Sequence, residues 1–416
     1  MNDTTVLTSP TLARPPSSTQ RLPVAARSVL GLLERLPHGH LHLQLPDGSV
    51  RHFGRDTSAQ APQASLRLHD GSPLAAALAE GDIGFARSYI EGGWDTPDLS
   101  ALLRLLLANR EALERLVYGS WWGGLAHRLR HALNRNSRSG SRRNIHLHYD
   151  LGNHFYRSWL DETMNYSSAW FEGDLDRPLA QAQQAKMRRA LTEAGVGPGS
   201  RVLEIGCGWG AVAEVAARDL DAQLTGVTLS SEQLNWGQQR LARAGLAERA
   251  DLRLQDYRDI TDPAFDAIVS IEMFEAVGEA QWPTYFRQVQ RLLKPGARAC
   301  IQTITIRDDL FDRYRRSSDF IQQYIFPGGM LPCDAAFRRE AERAGLVVER
   351  AFGFGRDYAE TLRRWRVAFD AQRTAVQRLG FDATFQRTWE FYLAYCEAAF
   401  DTGNTDVVQY TLRRAA

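Results

Sequence analysis

The chain has 416 residues, 44% hydrophobic and 24% charged, with a formal net charge of +1. That length is enough for two domains, and the charge balance excludes a strongly basic nucleic-acid binder. Cys207, Cys300, Cys333 and Cys396 form neither a CxxC pair nor a zinc spacing, so reduced thiols in a cytoplasmic setting are the simplest expectation.

Residues 1–22 are rich in Ser, Thr and Pro and lack the apolar stretch of a secretion signal, which predicts a disordered tail. Val29, Leu30, Leu33 and Leu36 recur at helical spacing. Residues 40–53 then alternate around Pro46-Asp47-Gly48, which predicts a β-hairpin, and residues 65–68 read as a further strand. Helices are expected over 72–91 and 98–117. The second places Leu102, Leu103, Leu105, Leu106 and Leu107 on more than one side, so it is buried or covers an apolar partner. Residues 23–133 therefore read as a small α+β domain.

Between His127 and Arg143 stand six arginines and no acid, and 134–143 has the composition of a linker. With Trp121 and Trp122, this run fits a solvated face or peripheral contact with an anionic bilayer. No apolar run approaches the ~20 residues of a membrane span.

Residues 144–416 change to alternating strands and helices. RVLEIGCGWG is strand then glycine turn, and AVAEVAARDL is helix. AQLTGVTLS is strand, followed by a helix capped by Ser230 or Ser231. DLRLQD and FDAIVSIEM are strands, WPTYFRQVQRLLKPG is a helix ending at Gly296, and ARACIQTITI is strand. This rhythm predicts an α/β fold with a mostly parallel sheet and helices on both faces.

The sharpest local signal is Glu204-Ile205-Gly206-Cys207-Gly208-Trp209-Gly210 after an apolar strand. Glycines there allow a tight turn and close approach to a ligand. The spacing is GxGxG, without the GxGxxG of dinucleotide enzymes or the Lys-Ser/Thr of a P-loop. The next strand ends in Thr228 rather than in the acidic residue often found there. Gln233 and Asp256 offer polar contacts further along. This pattern resembles class I S-adenosylmethionine methyltransferases, with a Rossmann-like seven-stranded sheet.

Further motifs occur in order: His148-Tyr149-Asp150-Leu151-Gly152-Asn153, then Met164 to Phe171, then Met273-Phe274-Glu275-Ala276-Val277-Gly278. Tyr324 to Gly329, Leu331-Pro332 and Arg356-Asp357-Tyr358 follow. Together they resemble the cyclopropane-fatty-acyl-phospholipid synthase family, which includes the mycolic-acid cyclopropane synthases. The resemblance covers 144–416 and is weaker over 23–133, the expected lipid-handling domain.

The resemblance implies methyl transfer from S-adenosylmethionine to the double bond of an unsaturated acyl chain of membrane phospholipid. A bound bicarbonate then takes the proton as a ring closes. It implies that Tyr166, Ser167, Gly206, Cys207 and Gly208 contact the cofactor. Thr228 and Gln233 would lie on its ribose and adenine side, and Asp256 and Tyr257 beside its adenine. Glu275, Tyr358 and the backbone of Ile304 would hold the bicarbonate.

Ser168 stands where ring-forming relatives usually have Cys, and Gln302 where they usually have His. Both replacements still hydrogen-bond, but Gln does not titrate. Methyl branching without a ring is therefore the alternative product, and small-molecule N-methylation a more distant one. Cys396 falls where the family has a cysteine noted for reactivity, and a buried helix cysteine is its bland reading. A homodimer is left open.

Overall fold

The computed structural model describes residues 24–56, 58, 61–117 and 151–416. The expected tail, basic run and linker lie outside the described residues, as does His148.

The N-terminal elements are α1 (Val24–Leu33), β1 (His40–Gln44), β2 (Val50–Phe53), β3 (Gln63–Leu68), α2 (Ser72–Ile90), β4 (Trp94–Asp95), α3 (Leu99–Ala108) and α4 (Arg110–Val117). The alternation around Pro46-Asp47-Gly48 does form a hairpin, with Leu41 opposite Phe53. β3 joins the other side of β1 in parallel, giving the order β2-β1-β3-β4. Leu41, Leu43, Leu66 and Leu68 are buried on one face, as a period of two requires.

The helix expected over 98–117 is two helices. Asn109 separates them because its side chain is spent on the chain itself: Nδ2 donates to the carbonyls of His38 and Leu105, and Oδ1 accepts from the His38 N–H. The helix over 72–91 is bent at Gly81, whose φ of 64° and ψ of −137° leave the helical region.

The larger sheet contains β5 (Arg201–Ile205), β6 (Gln223–Thr228), β7 (Ala250–Leu254), β8 (Phe265–Ile271), β9 (Leu293–Ile306), β10 (Leu346–Gly353) and β11 (Thr405–Arg414). Their order is β10-β11-β9-β8-β5-β6-β7, and β11 alone runs against the others. The helices α5 (Asn153–Arg157), α6 (Leu179–Glu193), α7 (Ala211–Asp219), α8 (Ser231–Arg243), α9 (Trp282–Leu292), α10 (Asp308–Tyr314), α11 (Asp334–Arg343), α12 (Gly355–Ala371), α13 (Arg373–Arg378) and α14 (Ala383–Asp401) accompany it. Ser230 is the cap of α8, its hydroxyl accepting from the Gln233 N–H.

One boundary differs from the sequence expectation. α9 ends at Leu292 rather than Gly296, and Leu293 already pairs with Phe265. Pro295 explains this, because it disfavours helical backbone at Lys294 before it.

The N-terminal sheet does not have a core to itself. Leu41, Leu66, Trp94 and Leu102 belong to the same apolar cluster as Trp365 of α12 and Trp389 of α14. Phe155 on α5 is a hub within it, fully buried and in ring contact with Tyr156, Trp159, Phe369, Phe381, Phe385 and Trp389. Phe155→Ala should cost ~3–5 kcal/mol of stability, because so many rings cannot collapse into the void. A urea unfolding midpoint unchanged from that of the parent chain would contradict this packing.

Candidate active site

Two cavities meet just beyond the carboxyl end of β8, and the smaller extends over the ends of β5 and β6, where ligands bind in open α/β sheets. The smaller, about 160 Å³, lies over the glycine turn. Gly206 and Cys207 both donate their N–H to the Val227 carbonyl, which ties the turn to the end of β6. Gly206 has a φ of +87°, and a Cβ there would sit 2.8 Å from the Met273 side chain. Glu204 is buried beneath, with Oε2 unpartnered, and burial pushes its carboxyl up to about 8. Thr228 donates to Gln233 Oε1 at 2.9 Å across the floor.

The segment 164–171 forms the opposite wall, and buried side chains fix it at successive residues. The Ser167 carbonyl accepts from Gln183, and the Ser167 hydroxyl from Lys186 Nζ at 2.5 Å. The Ala169 N–H donates to Thr361, and the Phe171 N–H to Asp357. The Ser168 N–H donates at 2.8 Å to a carboxylate the sequence reading had not singled out, that of Glu272.

Glu272 immediately follows β8. Its φ of +49° is left-handed, an uncommon conformation for a non-glycine residue. The Gln302 carbonyl accepts its N–H at 2.8 Å. Its Oε1 accepts from the Ser168 N–H and, at 2.7 Å, from Gln302 Nε2. Its Oε2 accepts from the Tyr358 hydroxyl at 2.6 Å. Burial raises the Glu272 carboxyl, while the charge of Lys186 and these three donors oppose the rise. Burial pulls Lys186 down to about 8.

Glu275 is close by but differently placed. Its Oε1 accepts from the Ile304 N–H at 2.5 Å, and its Oε2 has no partner. Burial, then the charge of Glu272, pushes it up to about 8. Burial therefore raises both carboxyls, and Glu272 is the one whose two oxygens are met by the Ser168 N–H, the Gln302 amide and the Tyr358 hydroxyl.

The larger cavity, about 440 Å³, runs from this point between the two sheets' helices. Leu103, Leu106 and Leu107 of α3 line it together with Leu33, Leu74 and Phe85, so the apolar helix does cover a greasy space. Tyr166, Glu272 and Ala276 line both cavities. Tyr166 and Tyr392 share a hydroxyl hydrogen bond of 2.6 Å.

Residues 136–410 match the sequence profile described as mycolic acid cyclopropane synthetase. The chain belongs to that family. It is 40% identical, over 94% of its length and 92% of the relative's, to tuberculostearic acid methyltransferase UfaA1 of Mycobacterium tuberculosis. It is 33% identical to the cyclopropane-fatty-acyl-phospholipid synthase of Escherichia coli, over 84% of this chain and 88% of that one. The crystal structure of mycolic acid cyclopropane synthase CmaA1 complexed with SAH and CTAB superposes with a TM-score of 0.61 at 33% identity. It covers 66% of this chain and 98% of that one. The protein is thus an S-adenosylmethionine-dependent methyltransferase of class I fold.

Within that family frame, the structure brings most of the sequence-selected residues together. Tyr166, Ser167, Glu204, Gly206, Cys207, Gly208, Thr228, Gln233, Asp256 and Tyr257 all line the smaller cavity. Asp256 is already held by Arg258, two guanidinium nitrogens donating to its carboxylate. Gln302 faces Glu272 as a donor. Ser168 does not use its hydroxyl as expected: Oγ donates to the Ala169 carbonyl, and only the backbone N–H faces the site. Cys396 lines the apolar cavity as a thiol kept protonated by burial, which gives it no nucleophilic character.

S-adenosylmethionine fits: an unpartnered buried carboxylate oxygen, a close-approach glycine and a polar floor surround its cavity. Bicarbonate does not fit. The donors expected to hold it are engaged, Tyr358 and Gln302 by Glu272 and the Ile304 N–H by Glu275. An anion there would also lie against the Glu272 carboxylate in a buried site. The signal for Glu272 was present in the sequence as a carboxylate at a strand's carboxyl end, three residues before the one chosen.

Gly206→Val should abolish cofactor binding, because its side chain must displace Met273 in a left-handed backbone. Gly208→Ala should weaken binding less, since a Cβ at Gly208 meets open space and only the φ of +49° is strained. Calorimetry with S-adenosylhomocysteine gives the order; equal affinities for Gly206→Val and the parent would displace the site.

Proposed function

We propose that this enzyme methylates the double bond of an unsaturated fatty-acyl chain of membrane phospholipid, and that Glu272, not bicarbonate, takes the released proton. The product is an open, methyl-substituted chain. The observation that carries this reading is the Glu272 carboxylate, placed where the two cavities meet and holding the donors that an external anion would need.

S-adenosylmethionine supplies an electrophilic methyl on a positively charged sulfur. The alkene's π electrons form the new C–C bond, the C–S electrons stay on sulfur, and a cation is left on the chain. The protein need only align the reactants at near-attack distance and exclude water. Tyr166, Tyr358 and Tyr392 present aromatic walls to a cation at the junction. The Leu-lined cavity keeps the chain dry.

Glu272 then accepts a proton. When that proton leaves a carbon beside the cation, its C–H electrons form a new alkene and no ring closes. An ionised carboxylate offers about four acceptor positions, and three are filled. The open one is on Oε2, so that atom receives the proton. The name of the 40%-identical relative, a tuberculostearic acid methyltransferase, accords with a methylated open chain.

Glu272→Gln should lower turnover by about two or more orders of magnitude, as loss of a general base does, with cofactor affinity nearly unchanged. In the parent enzyme the rate should fall toward acid with a midpoint above the ordinary 4.5 of a glutamate, because burial raises Glu272 and only its ionised form accepts. Fatty acids of expressing cells should gain about 14 mass units per modified chain and take up hydrogen under mild catalytic hydrogenation. A product resistant to hydrogenation is a ring and overturns the open-chain reading.

A further inference from the structure

Glu272 is held by Gln302, and a primary amide has two ends of nearly the same shape. Its nitrogen donates and its oxygen accepts. If Gln302 were turned over, an oxygen would face the Glu272 carboxylate and the contact would become repulsive. Something must therefore choose the end.

The choice is made one residue further out. Gln409 on β11 lies directly opposite Gln302 on β9 in the sheet register, and both are buried. Gln409 Nε2 donates to Gln302 Oε1 at 2.9 Å and to the Lys186 carbonyl at 3.3 Å. Gln409 Oε1 in turn accepts from Arg189 Nη1 at 2.5 Å.

Arg189, on α6, has five N–H groups and no acceptor, so it can meet only the oxygen of Gln409. That fixes Gln409, which fixes Gln302, which presents Nε2 to Glu272 at 2.7 Å. Each amide passes the polarity inward. We propose that Arg189 and Gln409 are positioning residues that orient the Gln302 amide, and so keep Glu272 a competent proton acceptor, across a buried chain of three hydrogen bonds.

Arg189 is itself well anchored. Its guanidinium lies 3.9 Å from the centre of the Phe352 ring and 5.6 Å from that of Trp170, and Glu193 pairs with it at 3.6 Å. Arg350 adds a like charge nearby. At the inner end, the charged and titratable groups facing Glu272 are Lys186 on α6, Glu275 beyond β8 and Tyr358 on α12. None of these depends on the direction of the amide chain.

This inference rests on the reading of Glu272 as the base, and the two are tested separately. The protonated-carboxyl infrared band that Glu272→Gln removes reports the ionisation of Glu272 directly, whatever Glu272 does in catalysis. Arg189→Met keeps the aliphatic stem against Phe352 and removes the donor, so Gln409 is no longer oriented. The Glu272 midpoint should move up by about one pH unit, of the order expected for a weakened hydrogen bond to a charged group.

Gln302→Met should give a shift of at least that size. The double variant should be no worse than Gln302→Met alone, because both act through one contact. Arg189→Lys retains a donor and should restore most of the parent midpoint. An unmoved midpoint in Arg189→Met, or additive shifts in the double variant, overturns the relay. A midpoint that moves in Arg189→Met without any change in the acid limb of turnover supports the relay and instead removes Glu272 from the base role.

Discussion

A carboxylate cut off from water at the end of a β-strand stays ionised only when fixed donors replace its hydration. Glu272 has three of them, from a loop backbone, a neighbouring strand and a helix. The loop carrying Ser168 is pinned by Gln183, Lys186, Thr361 and Asp357, so the donors are set before any substrate arrives. The left-handed backbone at Glu272 is a cost accepted for that placement. The proposed chemistry of the site follows from this one group: the donors an external anion would need are already engaged by the protein's own carboxylates.

The architecture around it divides the work. The glycine turn and the ends of β5 and β6 build a polar cavity for the cofactor. The N-terminal helices and α14 close an apolar one. Because the N-terminal sheet shares its core with α12 and α14, the apolar cavity is walled by both parts of the chain. Glu272, Tyr166 and Ala276 line both cavities. Lys186 supplies positive charge among Glu272, Asp161 and Glu204, which limits the repulsion of so many buried acids.

Much of this was legible in the sequence. The glycine turn, the strand–helix rhythm and the hairpin follow from local periodicity and turn chemistry, and the structure has them where expected. The apolar run Leu102 to Leu107 reads as buried or covering an apolar partner, and it does both: Leu102 and Leu105 are in the core while Leu106 and Leu107 line the cavity. The break at Asn109 was not legible, because it depends on a contact with His38, 71 positions away. The α9 boundary differs because Pro295 disfavours helix before it and Leu293 pairs with Phe265, a contact local pattern does not show.

The sequence pointed to the stretch that holds Glu275, and Glu272 in the same stretch was not singled out. Glu275 and Glu272 lie in one short stretch and both turn inward, and sequence pattern does not say which carboxylate gathers the donors of the neighbouring elements. That is decided by partners far along the chain, Ser168, Gln302 and Tyr358. The departures at Ser168 and Gln302 were visible as substitutions. Their meaning was not, because each acts on a carboxylate supplied by the protein: Ser168 through its backbone and Gln302 through an amide oriented by Gln409. In the proposed reaction this carboxylate stands in for an external anion. Turnover measured in carbon-dioxide-free buffer, against the same buffer with added bicarbonate, tests it most directly. Equal rates are predicted, and a rate that falls on depletion and returns with bicarbonate would show that an external anion, not Glu272, takes the proton.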